Sequence, residues 1–358
     1  QCLQNGADLA MPGEFTKRAF MNGRIDLSQA ESVIDIINAK TEKEEIASFN
    51  QLQGNLSREI ENIRGDLLDI MADIEASIDY PEYDIEETTN KKVLKVLEKA
   101  KEKLEKLENS FENGKILKEG VKTVIIGKPN AGKSSLLNNI LNQERAIVSD
   151  YAGTTRDTIE EFITIEGVPL KIIDTAGIRD TKDYVEKIGV EKSISLIKEA
   201  DLIIAIFDNS KRLDDEDYKI LDLIKNKRCI ILLNKCDLSD ENNETISYMS
   251  KTNKMVIKAS MKTKEGLDEL YQTISNLFKN NELDFNDEII VTNIRHKNLI
   301  HKAIENIIGT TSRIEQNISI DIISIYIKEI LENLGEITGN NVSEDIINKI
   351  FSKFCLGK

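Results

Sequence analysis

The chain has 358 residues, of which 40% are hydrophobic and 5% aromatic, and its formal net charge is −15. This length predicts two or three domains, and the composition favours a helix-rich globular protein. No stretch of about 18 uncharged apolar residues occurs, so we expect no membrane span, and no signal peptide is recognisable. The acidic balance argues against strong non-specific nucleic-acid binding, so any RNA contact should be local or supplied by a partner.

The four cysteines show no C-x-x-C spacing. This pattern predicts reduced thiols in a cytoplasm and argues against a zinc site. The chain begins with Gln1, which suggests a fragment whose beginning is missing. Residues 1–22, with a turn at Pro12-Gly13, are predicted to be the end of an earlier domain.

The stretch from Leu27 to about Gly114 has a helical pattern, in which Val33, Ile34, Ile36 and Ile37 come first. Its apolar residues recur at intervals of three and four, which predicts helices that each bury one face. Tyr80-Pro81 is expected to end the first long helix. The first buried face is predicted to contain Leu56, Ile60, Ile63, Leu67, Ile70, Ile74 and Ile78, and the next Val93, Leu97, Leu104, Leu107 and Phe111.

A glycine-rich segment, Gly127 to Ser135, follows the apolar run Val121 to Ile126 and precedes another helical pattern. It matches G-x-x-x-x-G-K-[ST] in the strand–loop–helix context that a phosphate-binding loop requires. Glycines allow the backbone to wrap a phosphate chain, with the loop N–H groups and the helix N-terminus facing the anion. We therefore expect Lys133 to reach the β- and γ-phosphates and Ser134 to ligate Mg²⁺.

Two further motifs end predicted strands and favour a guanine nucleotide. Asp174-Thr175-Ala176-Gly177 follows Leu170 to Ile173 and would bring an acid to the magnesium shell. Asn234-Lys235-Cys236-Asp237 follows Cys229 to Leu233. The carboxylate of Asp237 can accept from guanine N1–H and N2–H₂, whereas adenine would leave it unpaired.

The same region alternates strands and helices, which predicts a mostly parallel sheet with a ligand at its carboxyl edge. Predicted strands are Leu202 to Asp208 and Val256 to Ala259, and Glu166 to Pro169 is the predicted turn of a hairpin between Phe162–Ile165 and Leu170–Asp174. Ser260-Met261-Lys262 ends the last strand, and a backbone N–H there is expected to contact guanine O6.

A helical pattern returns after Asp287, with Leu299, Ala303, Ile304, Ile307 and Ile308 on one face and predicted helices over Ile318–Leu334 and Val342–Phe354. The predicted fold is an α/β P-loop GTPase domain, with helices on both faces of its sheet, inserted into an all-α helical bundle. The predicted boundaries are 1–22, 23–117 for the first part of the bundle, 118–282 for the GTPase domain and 283–358 for the second part.

The residue after Gly177 is Ile178, which cannot orient an attacking water as the Gln of many small GTPases does. A downstream carboxylate could act as general base, directly or through a water. Spacing alone leaves Asp180, Asp183, Glu186 and Glu191 open. A monovalent cation such as K⁺, held by the Asn130 side-chain oxygen and backbone carbonyls of residues 149–155, could supply the missing positive charge.

These motifs, with Ala152 to Asp157, resemble the translation-factor-like GTPases that carry a hydrophobic residue in place of Gln. Pro12-Gly13-Glu14-Phe15, Lys17 to Phe20, the flanking helices and the final Cys-Leu-Gly-Lys resemble the MnmE (TrmE) family of tRNA-modification GTPases.

The resemblance implies a homodimer that works with an MnmG (GidA) flavoprotein to form a 5-aminomethyl or carboxymethylaminomethyl group on the wobble uridine of certain tRNAs. It also implies K⁺-stimulated GTP hydrolysis by dimerising G domains. Its GTP-binding positions are Asn130, Ala131, Gly132, Lys133, Ser134, Ser135, Ser149, Asp150, Tyr151, Ala152, Gly153, Thr154, Thr155, Asp174, Thr175, Ala176, Gly177, Asn234, Lys235, Asp237, Ser260, Met261 and Lys262.

Further roles follow from the same resemblance. Ser134 and Thr155 match Mg²⁺ ligands, while Asn130, Ser149, Tyr151 and Thr154 match K⁺ ligands. The catalytic acid falls on Glu186, and Cys355 matches a cysteine near the modification centre. Arg24 and Lys358 match positions that contact 5-formyltetrahydrofolate, although most of the folate-binding domain is expected to be missing here.

Two other functions compete with this enzyme. One is a GTP-dependent binding switch in ribosome or RNA assembly, which the acidic helical region disfavours because such proteins usually append a basic module. The other is a helical dimer scaffold in which GTP only sets geometry.

Overall fold

The computed structural model describes residues 3–79, 86–142, 161–173, 196–238, 249, 254–279, 289–355 and 357. The chain forms two compact units, one made of residues 1–118 and 285–358 and the other of residues 119–284. We call them the helical unit and the GTPase unit. In the described part of the chain, no helix is long and apolar enough to span a membrane.

The helices are numbered in chain order over the described residues. Those before the first strand are α1 (Glu14–Met21), α2 (Leu27–Asn38), α3 (Glu42–Leu52), α4 (Asn55–Asp79) and α5 (Glu86–Glu119). The GTPase unit contains α6 (Lys133–Leu141), α7 (Asp215–Ile224) and α8 (Leu267–Lys279). The chain then forms α9 (Ile294–Glu315), α10 (Ile320–Thr338) and α11 (Glu344–Phe351).

One hydrophobic core joins helices α4, α5, α9 and α10, which come from opposite ends of the sequence. The predicted α5 face is confirmed, because all five of its apolar residues are buried. The predicted α4 face is confirmed from Leu56 to Ile74, but Ile78 is 42% exposed one residue before the helix ends. Ile308 was also wrongly predicted to be buried, since it lies on the outer side of α9 and is 51% exposed.

Helix α2 buries polar side chains, although the sequence pattern identified this helix by its apolar residues. Its side chains Ser28, Glu31, Ser32 and Asp35 are buried, whereas the four apolar residues from Val33 to Ile37 are only half-buried. The helix begins with a capping box, in which the Asp26 side chain accepts from the backbone N–H of residue 29 and the side chain there accepts in return. A buried polar face needs partners, and these come from distant segments.

The GTPase unit has a six-stranded sheet in the order β2-β3-β1-β4-β5-β6. Among the strand pairs of the described residues, only β2–β3 is antiparallel, so the predicted α/β fold with a mostly parallel sheet is confirmed. The strands are β1 (Val121–Ile126), β2 (Glu161–Ile165), β3 (Val168–Ile172), β4 (Leu202–Asp208), β5 (Cys229–Asn234) and β6 (Met255–Lys258).

The β2–β3 turn is shorter than the sequence predicted. Val168 and Pro169 pair with Ile165 and Thr164 and so belong to β3, which leaves only two residues in the turn. Those two, Glu166 at φ 48° and Gly167 at φ 80°, both have positive φ, as a tight hairpin turn requires.

Candidate functional site

The loop after β1 passes so close to neighbouring strands that only glycine fits at two positions. A Cβ on Gly127, at φ 154°, would lie 2.4 Å from the carbonyl oxygen of Ile206 in β4. A Cβ on Gly132, at φ 117°, would lie 2.1 Å from Nδ2 of Asn234, the last residue of β5. Both conformations are in the region that side chains disfavour. The two glycines therefore let the loop lie against the carboxyl ends of β4 and β5.

Lys133 begins α6 and its side chain returns over the loop. Its Nζ donates to the carbonyl oxygens of Gly127 at 2.7 Å and Lys128 at 2.8 Å. Burial lowers the pKa of Lys133. The neighbouring Asn130 is exposed with φ 62°, while Ser134 is half-buried in the first turn of α6 and Ser135 is exposed. The lysine ammonium is thus positioned at a helix N-terminus, where an anion is favoured.

Asn234 joins the phosphate loop to the segment after β6. Its Nδ2 donates to the carbonyl oxygen of Ala131 at 2.7 Å, and its Oδ1 accepts from the Met261 N–H at 3.0 Å. Asn234 is 3% exposed, so these bonds are shielded from water. The side chain of Asn139 in α6 adds a third link, because its Nδ2 donates to the Met261 carbonyl oxygen at 2.9 Å. Segments 130–132 and 260–262 are therefore held together by Asn234.

Two other residues of the same motif, Lys235 and Asp237, differ in their surroundings. Lys235, at φ 67°, donates from Nζ to Asp208 Oδ2 at 2.6 Å. Burial raises the pKa of Asp208, but the hydrogen bonds from Lys235 and Ser210 outweigh it, and the pKa is lowered. Asp237 is exposed, and its Oδ1 accepts from Ser260 Oγ at 2.7 Å. Its carboxylate is thus oriented by the segment that also contains Met261.

Three contributors to this arrangement escaped the sequence analysis. Asn139 gave no signal, because an amide on a helix has many possible partners. Asp208 is the last residue of a strand that is otherwise apolar, and this position could have indicated its place in the site. Lys128 lies within the loop and binds Asp214 at 2.6 Å and Asp217 at 2.7 Å, which form the capping box of α7. The loop is thereby attached to a second helix N-terminus.

Comparison with known proteins identifies the family. Residues 27–355 match the family model described as the MnmE helical domain. The chain belongs to the MnmE family. An MnmE from Acetivibrio thermocellus is 52% identical over 359 residues, which cover 100% of this chain and 78% of the relative. An MnmE from Finegoldia magna is 51% identical over 361 residues, covering 99% and 78%. Both relatives are named tRNA modification GTPase MnmE.

Several residues that the MnmE resemblance implies lie outside the described residues, so their roles stay predictions. These are Glu186 and its alternatives Asp180, Asp183 and Glu191, the loop positions Ser149, Asp150, Tyr151, Ala152, Gly153, Thr154 and Thr155, the motif Asp174, Thr175, Ala176 and Gly177, and Lys358.

Two residues expected from the MnmE family to bind folate or take part in modification lie in the helical unit. Arg24 is exposed between α1 and α2, and its backbone N–H donates to the Ala19 carbonyl oxygen at 2.9 Å. Cys355 is exposed after α11, and its carbonyl oxygen accepts from the Gly13 N–H at 3.4 Å. The side chains of both are open to solvent.

Proposed function

We propose that this chain binds GTP between the loop 127–135 and the segments 234–237 and 260–262, hydrolyses it, and serves tRNA wobble-uridine modification. The observation that carries the proposal is the Asn234 bridge, which holds the phosphate loop and the predicted guanine segment as one site. Membership of the MnmE family supports the same chemistry.

Guanine selection is assigned to Asp237. Its carboxylate is exposed and oriented by Ser260, so it can accept both guanine donors. The predicted N–H contact to guanine O6 is not assigned to one residue, because the Met261 N–H donates to Asn234. Lys262, the next residue, is exposed.

The glycine-lined cradle and the helix N-terminus suit a phosphate chain with its metal ions. We propose that Ser134 and Thr155 hold Mg²⁺, and that Asn130, Ser149, Tyr151 and Thr154 hold K⁺. These cations would supply positive charge beside the β- and γ-phosphates, where negative charge develops during hydrolysis. Lys133 contributes its ammonium group to the same phosphates. Ile178 leaves the orientation of the attacking water to another group, which we propose is Glu186 acting through a second water.

The Glu186→Ala variant tests the catalytic assignment. We expect GTP turnover to fall roughly 100- to 10,000-fold, the range typical of losing a general base, with GTP affinity unchanged. Asp183→Ala and Glu191→Ala are matched controls from the same segment and should retain turnover. Equal losses in all three variants, or a normal rate in Glu186→Ala, would refute the assignment. A normal rate would also favour a scaffold in which GTP only sets geometry.

The cation assignment has its own test. We expect the unmodified chain to hydrolyse GTP at least about tenfold faster in K⁺ buffer than in Na⁺ buffer of equal ionic strength. The reason is that oxygen ligands spaced for K⁺ would coordinate the smaller Na⁺ poorly. Equal rates in the two buffers would remove K⁺ from the mechanism while leaving GTP binding in place.

The wider function involves partners. We propose a homodimer that acts in the cytoplasm with an MnmG-type flavoprotein, and hydrolysis when two G domains associate across the nucleotide. The product is the 5-aminomethyl or carboxymethylaminomethyl wobble uridine, and we propose 5-formyltetrahydrofolate as a cofactor of the full-length family. Mass spectrometry of tRNA nucleosides from cells without this protein should show the unmodified wobble uridine. An unchanged nucleoside profile would refute this role.

A further inference from the structure

The segment that joins β4 to α7 contributes carboxylates to both ends of the nucleotide site, although it contains none of the three nucleotide motifs. We call the stretch from Asp208 to Asp217 the β4–α7 segment. At its start, Asp208 binds Lys235 of the motif that is predicted to select guanine. Near its end, Asp214 and Asp217 bind Lys128, the second residue of the phosphate loop. One short stretch of chain is therefore attached to both parts of the site.

At the phosphate end, the side chain of Lys128 is held between two carboxylates. Its Nζ lies 2.6 Å from Asp214 Oδ2 and 2.7 Å from Asp217 Oδ2. Asp217 is only 6% exposed, so loss of the Lys128 cation would leave its charge buried and poorly compensated. The capping box of α7 fixes these carboxylates in turn, because Asp217 Oδ2 also accepts from the Asp214 N–H at 3.1 Å. The loop is thus joined to the first turn of α7 by a shielded ion pair.

The backbone of Lys128 supports the lysine that is predicted to bind phosphate. Its carbonyl oxygen accepts from the Ala131 N–H at 3.2 Å and from Lys133 Nζ at 2.8 Å. Pro129 follows Lys128, and a residue before proline is restricted largely to extended backbone. Because the side chain and the backbone of Lys128 are both restrained, the carbonyl oxygen that receives Lys133 is held in one place.

At the base end, Asp208 fixes the side chain of Lys235. Its Oδ2 accepts from Lys235 Nζ at 2.6 Å, and its Oδ1 accepts from the N–H and the hydroxyl of Ser210 at 3.0 and 2.6 Å. Lys235 has a φ of 67°, which side chains disfavour, so the ion pair opposes relaxation of this backbone. Asp237 follows two residues later, and the direction of its carboxylate depends on the same backbone.

We propose that the β4–α7 segment positions both ends of the nucleotide through two separate lysines. Asp217 acts through Lys128 and places the loop for the β-phosphate. Asp208 acts through Lys235 and places the Asp237 carboxylate for guanine. Both aspartates are positioning residues that do not touch the nucleotide, and the proposal rests on GTP binding at this site as proposed above.

Two ratios of dissociation constants separate these roles, and competition with a fluorescent GDP analogue measures them in the full chain. The ratio of the Kd for GMP to the Kd for GDP reports what the β-phosphate adds, because the base contacts cancel. The ratio of the Kd for inosine diphosphate to the Kd for GDP reports what the guanine 2-amino group adds, because the phosphate contacts cancel. A general loss of stability would change neither ratio, since it acts on all three nucleotides alike.

The Asp217→Asn variant tests the phosphate end. It removes the buried charge but keeps an acceptor for the Asp214 N–H, and we expect the GMP-to-GDP ratio to fall at least about fivefold. Charge alone predicts the opposite sign, because loss of a carboxylate favours the more negative nucleotide. Lys128→Met should lower the same ratio, and Lys128→Arg, which can bind both carboxylates, should preserve it. The inosine-to-guanosine ratio should stay within about twofold of wild type in all three variants.

The Asp208→Asn variant tests the base end. The amide oxygen can still accept from Ser210, but the ion pair with Lys235 is lost. We expect the inosine-to-guanosine ratio to fall at least about threefold, because a poorly oriented Asp237 carboxylate binds the 2-amino group more weakly. The GMP-to-GDP ratio should stay within about twofold of wild type.

Asp215→Asn is the matched control, because it removes an exposed carboxylate from the first turn of α7. It should keep the inosine-to-guanosine ratio and should not lower the GMP-to-GDP ratio. Unchanged ratios in Asp217→Asn and Asp208→Asn, or equal changes of both ratios in each variant, would overturn the positioning roles while GDP binding by the unmodified chain still supported the site. Failure of the unmodified chain to bind GDP and a GTP analogue would overturn both proposals.

Discussion

Replacing Asn234 with Ala tests whether the nucleotide site depends on one buried amide. The substitution removes the bond to the Ala131 carbonyl oxygen and the bond from the Met261 N–H. Ala131 is 2% exposed and Met261 7% exposed, so water cannot readily replace the lost partner in the folded state. Both backbone groups are then left unsatisfied.

The cost follows from these two groups. Each buried polar group that loses its partner costs about 1–2 kcal/mol, which gives roughly 2–4 kcal/mol in total. If this energy is needed to hold segments 130–132 and 260–262 for the nucleotide, the Kd for GDP should rise about 30- to 700-fold, at 1.4 kcal/mol for each factor of ten. The alanine should leave the core of the helical unit unchanged, because none of its residues bonds to Asn234.

Titration with a fluorescent GDP analogue measures the Kd, and circular dichroism in urea measures the stability. Asn139→Ala is the control, because it removes one half-buried bond to the Met261 carbonyl oxygen and should change the Kd less than about fivefold. A Kd for Asn234→Ala within threefold of wild type would show that the bridge does not position the site.

Three further changes test other parts of the structure. Burial raises the pKa of Glu44 from 4.5 to about 7, so ionisation of this carboxyl destabilises the folded chain as the pH rises through this range. Glu44→Gln should therefore raise the free energy of unfolding in urea by roughly 1–2 kcal/mol at pH 8 and leave it unchanged at pH 4.5. Equal effects at both pH values would contradict this. Gly132→Ala should abolish GDP binding in the same titration, because the added Cβ would collide with the Asn234 side chain. Gly65→Ala in α4, where the added Cβ meets no atom, should leave GDP binding unchanged and raise the free energy of unfolding by roughly 0.5–1 kcal/mol. Equal Kd values for GDP in the two variants would be inconsistent with the loop geometry. Leu67 is fully buried, and Leu67→Ala should lower the free energy of unfolding in urea by about 2–5 kcal/mol. Leu68 is half-exposed, and Leu68→Ala should lower it by less than about 1 kcal/mol. Equal losses would show that the buried face of α4 has been assigned to the wrong residues.

The GTPase fold was predictable because its motifs restrict the backbone itself. Gly127 and Gly132 are required by close approach to other strands, and an apolar run before each motif located β1, β3 and β5. The length of the hairpin turn was overestimated because proline, here Pro169, is common in turns. It is tolerated in β3 because it lies before Leu170, the first residue of that strand paired with β1.

The buried polar face of α2 was not predictable from local sequence. Glu31 and Asp35 resemble ordinary surface acids, and the nearby isoleucines suggest the opposite orientation. Their partners Lys118 and Arg295 are separated from them by up to most of the chain, so only the tertiary structure identifies the pairs. Asn139 was missed for the same reason, since its partner Met261 is distant in sequence. The role predicted for Glu186 rests on family resemblance, because spacing alone did not separate it from three other acids.

The core shared by α4, α5, α9 and α10 has a consequence for folding on the ribosome. Its second half is synthesised only after residues 119–284, so α4 and α5 must wait with their apolar faces incomplete. Joining the halves across an unfolded insertion requires closing a long loop, and the entropy loss grows with the logarithm of its length. A GTPase unit that folds first shortens this loop. Mutations that slow its folding are therefore expected to expose helical surface to aggregation, even where they leave the finished enzyme unchanged.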